Sequence, residues 1–119
     1  MKKYEIDRKA YSDGKLQDND IVLFRYADVL LMLSEAKVRN GESGDNELNL
    51  VRQRVGASNR RATLENILNE RLMELMWEGW RRSDLIRFNK FNKNTTRKSG
   101  DKTLFPIPYE AKELNPNLK

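Results

Sequence analysis

The stretch 21–38 constrains the fold more than any other part of the chain. It carries Ile21, Val22, Leu23, Phe24, Tyr26, Ala27, Val29, Leu30, Leu31, Met32, Leu33, Ala36 and Val38, interrupted by Arg25, Asp28, Glu35 and Lys37. Four charges in 18 residues would be very costly in a bilayer, so the stretch reads as a buried helix and not as a membrane span. The spacing predicts a helix over 21–40, with Asp18, Asn19 and Asp20 as N-cap candidates and Gly41 as the left-handed stop. Leu23, Tyr26, Ala27, Leu30, Leu33 and Val38 lie near one face, while Phe24, Leu31 and Ala36 widen the apolar surface. A helix apolar over most of its circumference packs on more than one side.

Three more helical patterns follow. Leu48, Val51 and Val55 mark a helix over 45–55 closed by Gly56. Leu64, Ile67, Leu68, Leu72, Leu75 and Met76 mark one from Thr63, a plausible N-cap, to Gly79. A shorter one is predicted over 80–88, with Leu85 and Phe88 inward. Residues 1–20, with the turn signal Ser12-Asp13-Gly14, read as an irregular lead-in with room for one short strand. At the other end, Leu104-Phe105-Pro106-Ile107-Pro108 is too proline-rich for a helix and is predicted extended. The fold expected is all-α, built from antiparallel helix pairs with irregular ends. It forms a single domain over 1–119: lead-in 1–20, helical core 21–88, then a basic loop and extended tail over 89–119.

The residue inventory limits the chemistry. The 119 residues include no Cys and no His, which removes disulfides, thiolate and imidazole ligands, and the usual nucleophile and general base. Lys and Arg total 23 against 18 Asp and Glu, a net charge of +5. That excess is local. Between 81 and 102 stand Arg81, Arg82, Arg87, Lys90, Lys93, Arg97, Lys98 and Lys102 against Asp84 and Asp101. The Asn-rich run 89–100 within it reads as a solvated loop.

Glu70, Glu74 and Glu78 recur every four residues along one helix edge, where like charges repel by roughly 0.2–0.5 kcal/mol per pair. Arg71, Arg81, Arg82, Arg52 and Arg54 are the cations near enough to offset them. Within the first helix, Arg25 can pair with Asp28 and Glu35 with Arg39. One reading of the acidic edge is a carboxylate site for a metal or for acid/base work; the other is an ion-pair network between packed helices. Metal-binding helical bundles combine Glu with His, and a carboxyl interleaved with Arg is pulled toward permanent ionisation, so the ion-pair network is the reading adopted. Trp77, Trp80, Tyr26 and Tyr109 are aromatics able to stack on sugars or bases, or to anchor packing.

Four ordered blocks resemble the SusD/RagB family. Phe24-Arg25-Tyr26-Ala27-Asp28-Val29-Leu30-Leu31-Met32-Leu33-Ser34-Glu35-Ala36 is similar to its Arg-Tyr-Ala-Asp helix, with Ser34 where alanine is usual. Leu50-Val51-Arg52-Gln53-Arg54-Val55-Gly56, the block from Glu70-Arg71 to Arg87, and Phe105-Pro106-Ile107-Pro108 followed by Asn115-Pro116-Asn117-Leu118 resemble its next three elements in order. Leu72 stands where the family commonly has Arg.

The resemblance implies tetratricopeptide-like helix pairs and a non-enzymatic role without cofactors. It implies an outer-membrane, surface-exposed lipoprotein of Bacteroidetes that binds oligosaccharide nutrients with a TonB-dependent transporter. The match is to the C-terminal portion of such a protein, with no counterpart of the lipidated Cys or the N-terminal helices. By resemblance Arg25, Asp28, Glu35, Arg52, Glu70, Arg71, Glu74, Glu78, Arg81, Asp84 and Arg87 are helix-packing charges. No binding residue transfers by motif, and Trp80 and Tyr109 are ligand-binding candidates by residue type only.

Two other functions fit the same sequence. One is a tetratricopeptide-like adaptor holding a peptide in a helical groove; the other is a nucleic-acid-binding module using the basic run, although nucleic acid is not the expected partner. The apolar breadth of the first helix also predicts an exposed patch and self-association.

Overall fold

The computed structural model describes Lys3 and residues 20–91, 105–115 and 117–118. Its helices are α1 (Tyr26–Arg39), α2 (Asp45–Arg54), α3 (Leu64–Glu74), α4 (Arg81–Arg87) and α5 (Tyr109–Leu114). The fold is all-α, with no strand among the described residues. The expected lead-in and the greater part of the basic loop fall outside them.

Helix ends follow local chemistry. At the end of α1, Gly41 takes φ +80°, and the N–H groups of Gly41 and Glu42 donate to the carbonyls of Val38 (3.2 Å) and Lys37 (2.8 Å). This double closure satisfies carbonyls that the helix leaves unpaired. Gly56 does the same for α2, where Ala57 N–H reaches the Arg52 carbonyl at 3.0 Å. Asn89, at φ +54°, does it for α4, with Lys90 N–H on the Leu85 carbonyl at 2.7 Å. Thr63 caps α3, its side chain accepting from Asn66 N–H at 3.1 Å.

The structure corrects several sequence boundaries. α1 starts at Tyr26 and not at 21, because Arg25 is extended (φ −144°, ψ 158°) with its guanidinium turned toward the end of α3. Asp20 therefore does not cap it, and the other two candidates, Asp18 and Asn19, lie outside the described residues. α3 ends at Glu74, five residues short of Gly79, because Trp77 (φ +68°) and Gly79 (φ +82°) both enter the left-handed region and break the helical path. Residues 105–108 are non-helical as expected, but the tail then turns into α5. Pro108 sets φ at −52° before it, and Glu110 in the first turn with Lys112 in the last match the helix dipole.

α1 packs against both α2 and α3. Its contacts with α3 run in opposite order, Asp28 with Arg71 and Arg25 with Glu74, so the two helices are antiparallel. The α1–α2 pair is also antiparallel: Lys37 meets Glu47, while Arg25 and Arg54 share Glu74 at the other end. The core joins Leu30 and Leu31 of α1 to Leu48 and Val51 of α2, Ala62, and Ile67 of α3, with Ala27, Val38 and Phe88 packed against it. Leu23, Tyr26 and Leu33, expected to face inward, are exposed. The buried face of α1 instead includes Asp28, Ser34 and Glu35, a polar line the apolar pattern could not reveal.

Ser34 shows why it stands in place of alanine. Its Oγ donates to the Gly44 carbonyl at 2.8 Å, just before α2 begins. A Cβ on Gly44 would lie 2.5 Å from the Ser34 carbonyl oxygen and 2.6 Å from its Oγ, so only glycine fits.

Candidate functional site: an arginine–carboxylate clasp between helices

The centre of the clasp is Arg71 on α3, almost wholly buried. Its Nη1 donates to Asp28 Oδ1 of α1 at 2.7 Å and its Nε to Asp84 Oδ1 of α4 at 2.9 Å. Both aspartates are 1% exposed, so one guanidinium ties three helices together away from water. Asp84 also accepts from Arg87 Nη2 at 2.8 Å. Arg87 continues to Glu35 of α1, with Nε to Oε1 at 3.0 Å and Nη2 to Oε2 at 3.0 Å. Arg39 Nε adds a further bond to Glu35 at 2.9 Å. Asp28 Oδ2 is buried and has no partner among the described residues, so Arg71 is the cation that holds this carboxylate.

A second group closes the far end of α1. Arg25 Nε donates to both carboxylate oxygens of Glu78, at 3.0 and 3.1 Å, and its terminal nitrogens reach the carboxylate and the main-chain carbonyl of Glu74. Arg54 Nη2 contacts Glu74 at 2.7 and 2.9 Å, and Lys3 Nζ meets Glu78 at 2.6 Å. On the α2 side, Arg52 pairs with Glu70, both buried, and donates through Nε to the Ser58 carbonyl at 2.7 Å.

Every carboxylate of the acidic edge thus meets at least one cation. Burial alone would raise the carboxyls of Glu35, Glu74 and Glu78, but their Arg and Lys hydrogen bonds outweigh it and hold all three below the ordinary Glu value. The Lys37 ammonium, 2.5 Å away, does the same for Glu47. Arg25 is partly desolvated, which lowers its pKa, yet its bonds to Glu78 and Glu74 raise it overall. Carboxylates locked in the ionised form cannot donate protons near neutral pH, so the cluster is unsuited to general acid chemistry. Among the described residues no group of three or more Asp or Glu is disposed to hold a metal ion.

The pairing differs from the sequence expectation in its particulars. The Arg25 and Asp28 side chains do not pair: Arg25 goes to Glu74 and Glu78 and Asp28 to Arg71. Arg81 donates to the Leu68 carbonyl at 3.3 Å. Lys37–Glu47 and Lys3–Glu78 are pairs that the sequence does not predict, because nothing in it sets the α1–α2 register or brings residue 3 to the segment after α3.

The aromatic candidates are separately placed. Trp80, half-buried, packs its ring 5.8 Å from Phe24 at 42°. Tyr109 begins α5, which buries none of its residues, and is 71% exposed. Three clefts of about 440, 330 and 310 Å³ are lined by other residues. The largest is walled by Lys3, Arg25, Arg54, Glu74 and Glu78, the smallest by Trp77, Met76 and Arg81 among others. Of the basic run, Lys93, Arg97, Lys98 and Lys102 lie outside the described residues, and Arg87 is committed to Glu35 and Asp84. No helix among the described residues is long and apolar enough to cross a membrane.

An all-helical unit whose helices are clasped by interlocked Arg and carboxylate side chains is a scaffold in which the charged residues do packing work. The SusD family model matches residues 1–103, and the chain belongs to that family. Members of this family are binding proteins and not enzymes. The starch-binding protein SusD of Bacteroides thetaiotaomicron is 36% identical over 93 residues, covering 76% of this chain and 17% of that protein. A SusD-like protein of Formosa agariphila is 33% identical over 123 residues, covering 87% of this chain and 24% of its own length. The chain therefore spans between about a sixth and a quarter of these relatives. No solved structure matches it.

Proposed function

We propose that this chain supplies helical scaffold to a nutrient-binding protein of the outer-membrane surface, one that captures oligosaccharides and passes them to a TonB-dependent transporter. The clasp carries this reading: Arg71, Asp28 and Asp84 are consumed in holding α1, α3 and α4 together. Such a scaffold leaves ligand contact to exposed aromatics, and the starch-binding relative supports glucans as the first ligands to try. The antiparallel α1–α2 and α1–α3 packing supports a tetratricopeptide-like arrangement of pairs. Trp80 and Tyr109 are the side chains proposed to stack on a sugar face, Tyr109 with the more open ring.

Titration calorimetry of the protein with a panel of oligosaccharides, α-linked glucans first, tests the reading. Saturable heat that Tyr109→Ala or Trp80→Ala weakens would support it. Silence toward every glycan would overturn the nutrient-binding role, while unaltered binding in both variants would move the site elsewhere. Co-purification with a TonB-dependent transporter tests the partnership separately.

A further inference from the structure

Asn40-Gly41 is the one Asn-Gly pair in the sequence. Asn40 closes α1 at φ −85° and ψ 3°, and Gly41 follows it in the left-handed region. Both are exposed, and a Cβ on Gly41 would meet nothing within 4 Å, so this corner stands in open space. The Asn40 side-chain amide has no hydrogen-bond partner among the described residues. The amides of Asn49, Asn59 and Asn66 are instead held by the Arg60 carbonyl, Gln53 and the Arg61 carbonyl.

A free asparagine side chain followed by glycine is chemically labile, because no Cβ on the next residue obstructs attack by that residue's own nitrogen. The Gly41 amide gives its proton to hydroxide, and the nitrogen attacks Asn40 Cγ. As the N–Cγ bond forms the Cγ–NH2 bond breaks, ammonia leaves, and a five-membered succinimide remains. Water then cleaves one of the two ring C–N bonds. Cleavage at Cγ gives aspartate; cleavage at the main-chain carbonyl gives isoaspartate, whose chain runs through Cβ and Cγ and is one atom longer.

The folded geometry opposes the first step. At ψ 3° the Gly41 nitrogen points away from the Asn40 side chain, and the ring closes only after that nitrogen swings round to eclipse Cβ. The swing breaks the bonds from Gly41 N–H to the Val38 carbonyl (3.2 Å) and from Glu42 N–H to the Lys37 carbonyl (2.8 Å).

We propose that Asn40 is a site of spontaneous deamidation, gated by opening of the last turn of α1, and that isoaspartate formed there prevents the turn from closing again. The far end of the corner has no slack to absorb the extra atom, because Gly44 is fixed against Ser34. The added atom therefore displaces Glu42 N–H from the Lys37 carbonyl. The new carboxylate also sits at the negative end of the helix dipole.

The chain is incubated folded, and separately unfolded in guanidinium chloride, in mildly acidic and mildly alkaline buffer. Peptide mass mapping follows the exchange of NH2 for OH, and an isoaspartyl methyltransferase counts isoaspartate. Position 40 should convert ahead of every other asparagine, and faster at alkaline pH. Opening breaks two backbone bonds, each worth about fivefold in an equilibrium constant, so the folded chain should react roughly twenty-five-fold more slowly than the unfolded one. Gly41→Asn, a residue that tolerates the left-handed region, should slow the reaction severalfold with circular dichroism unchanged. Asn40→Asp carries the new charge without the longer chain, and protein enriched in isoaspartate should melt below it. Another asparagine converting first, equal rates folded and unfolded, or isoaspartate protein melting together with Asn40→Asp would each overturn the proposal.

Discussion

Removing the Arg71 guanidinium is the sharpest perturbation of the fold. Its side chain is 1% exposed and contacts Asp28 at 2.7 Å and Asp84 at 2.9 Å, both in dry surroundings. In Arg71→Met, Asp84 keeps Arg87, but Asp28 loses the cation that holds it, and its second oxygen has no partner among the described residues to begin with. Breaking a buried pair in this way costs about 3–5 kcal/mol, because the remaining charge is left desolvated and uncompensated. A single domain holds only about 5–15 kcal/mol in total, so the variant should be half-unfolded at modest urea concentrations. Arg54→Ala is the control: it removes an equally short contact to Glu74, but the Arg54 side chain is 59% exposed and the loss should stay below about 1 kcal/mol. A triple variant, Asp28→Leu, Arg71→Met and Asp84→Leu, should regain much of what the single change loses, since no buried charge is stranded. Urea unfolding followed by circular dichroism gives all three values. An Arg71→Met cost no greater than that of Arg54→Ala would refute the claim that burial gives the clasp its strength.

Two further outcomes follow from the same geometry. Because the folded carboxyls of Glu35, Glu74 and Glu78 titrate below the ordinary value of 4.5, their contribution is complete above that pH and is lost as pH falls through the depressed folded values. The melting temperature should change little between pH 7 and pH 5.5 and drop steeply below about pH 4.5, with Glu35→Gln making the drop shallower; a flat acid limb in the unmodified protein would contradict this. Gly44→Ala should cost about 1–3 kcal/mol by denaturant unfolding through its clash with Ser34. Adding Ser34→Ala should not rescue it, because the backbone carbonyl 2.5 Å from the new Cβ remains.

Local structure was the most legible part of the sequence. Gly41, Gly56 and Thr63 each mark a helix end through their own chemistry, and the structure places the ends there. The buried Leu48 and Val51 of α2 and Ile67 and Leu68 of α3 were readable from spacing, although Val55 is exposed, and so was the need of Glu70, Glu74 and Glu78 for cationic partners. Where a residue's state depends on neighbours distant in the chain, the reading failed. Ile21–Phe24 look like the opening turn of a helix, yet Arg25 is held extended by carboxylates about fifty residues away. Tyr26 and Leu33 have apolar credentials equal to those of Leu30 and Leu31, and only the positions of α2 and α3 decide which side is buried.

The charge network shows the same division. Composition and period establish that cations must neutralise an acidic helix edge, because like charges four residues apart repel. Which arginine serves which carboxylate is a property of the packed helices. Arg25 and Asp28 are three apart, a spacing that pairs side chains on a helix, but Arg25 lies outside α1 and the geometry of that pair never forms. Asp28 is met instead by Arg71, 43 residues away, because α3 runs antiparallel to α1 and delivers a guanidinium to this buried carboxylate.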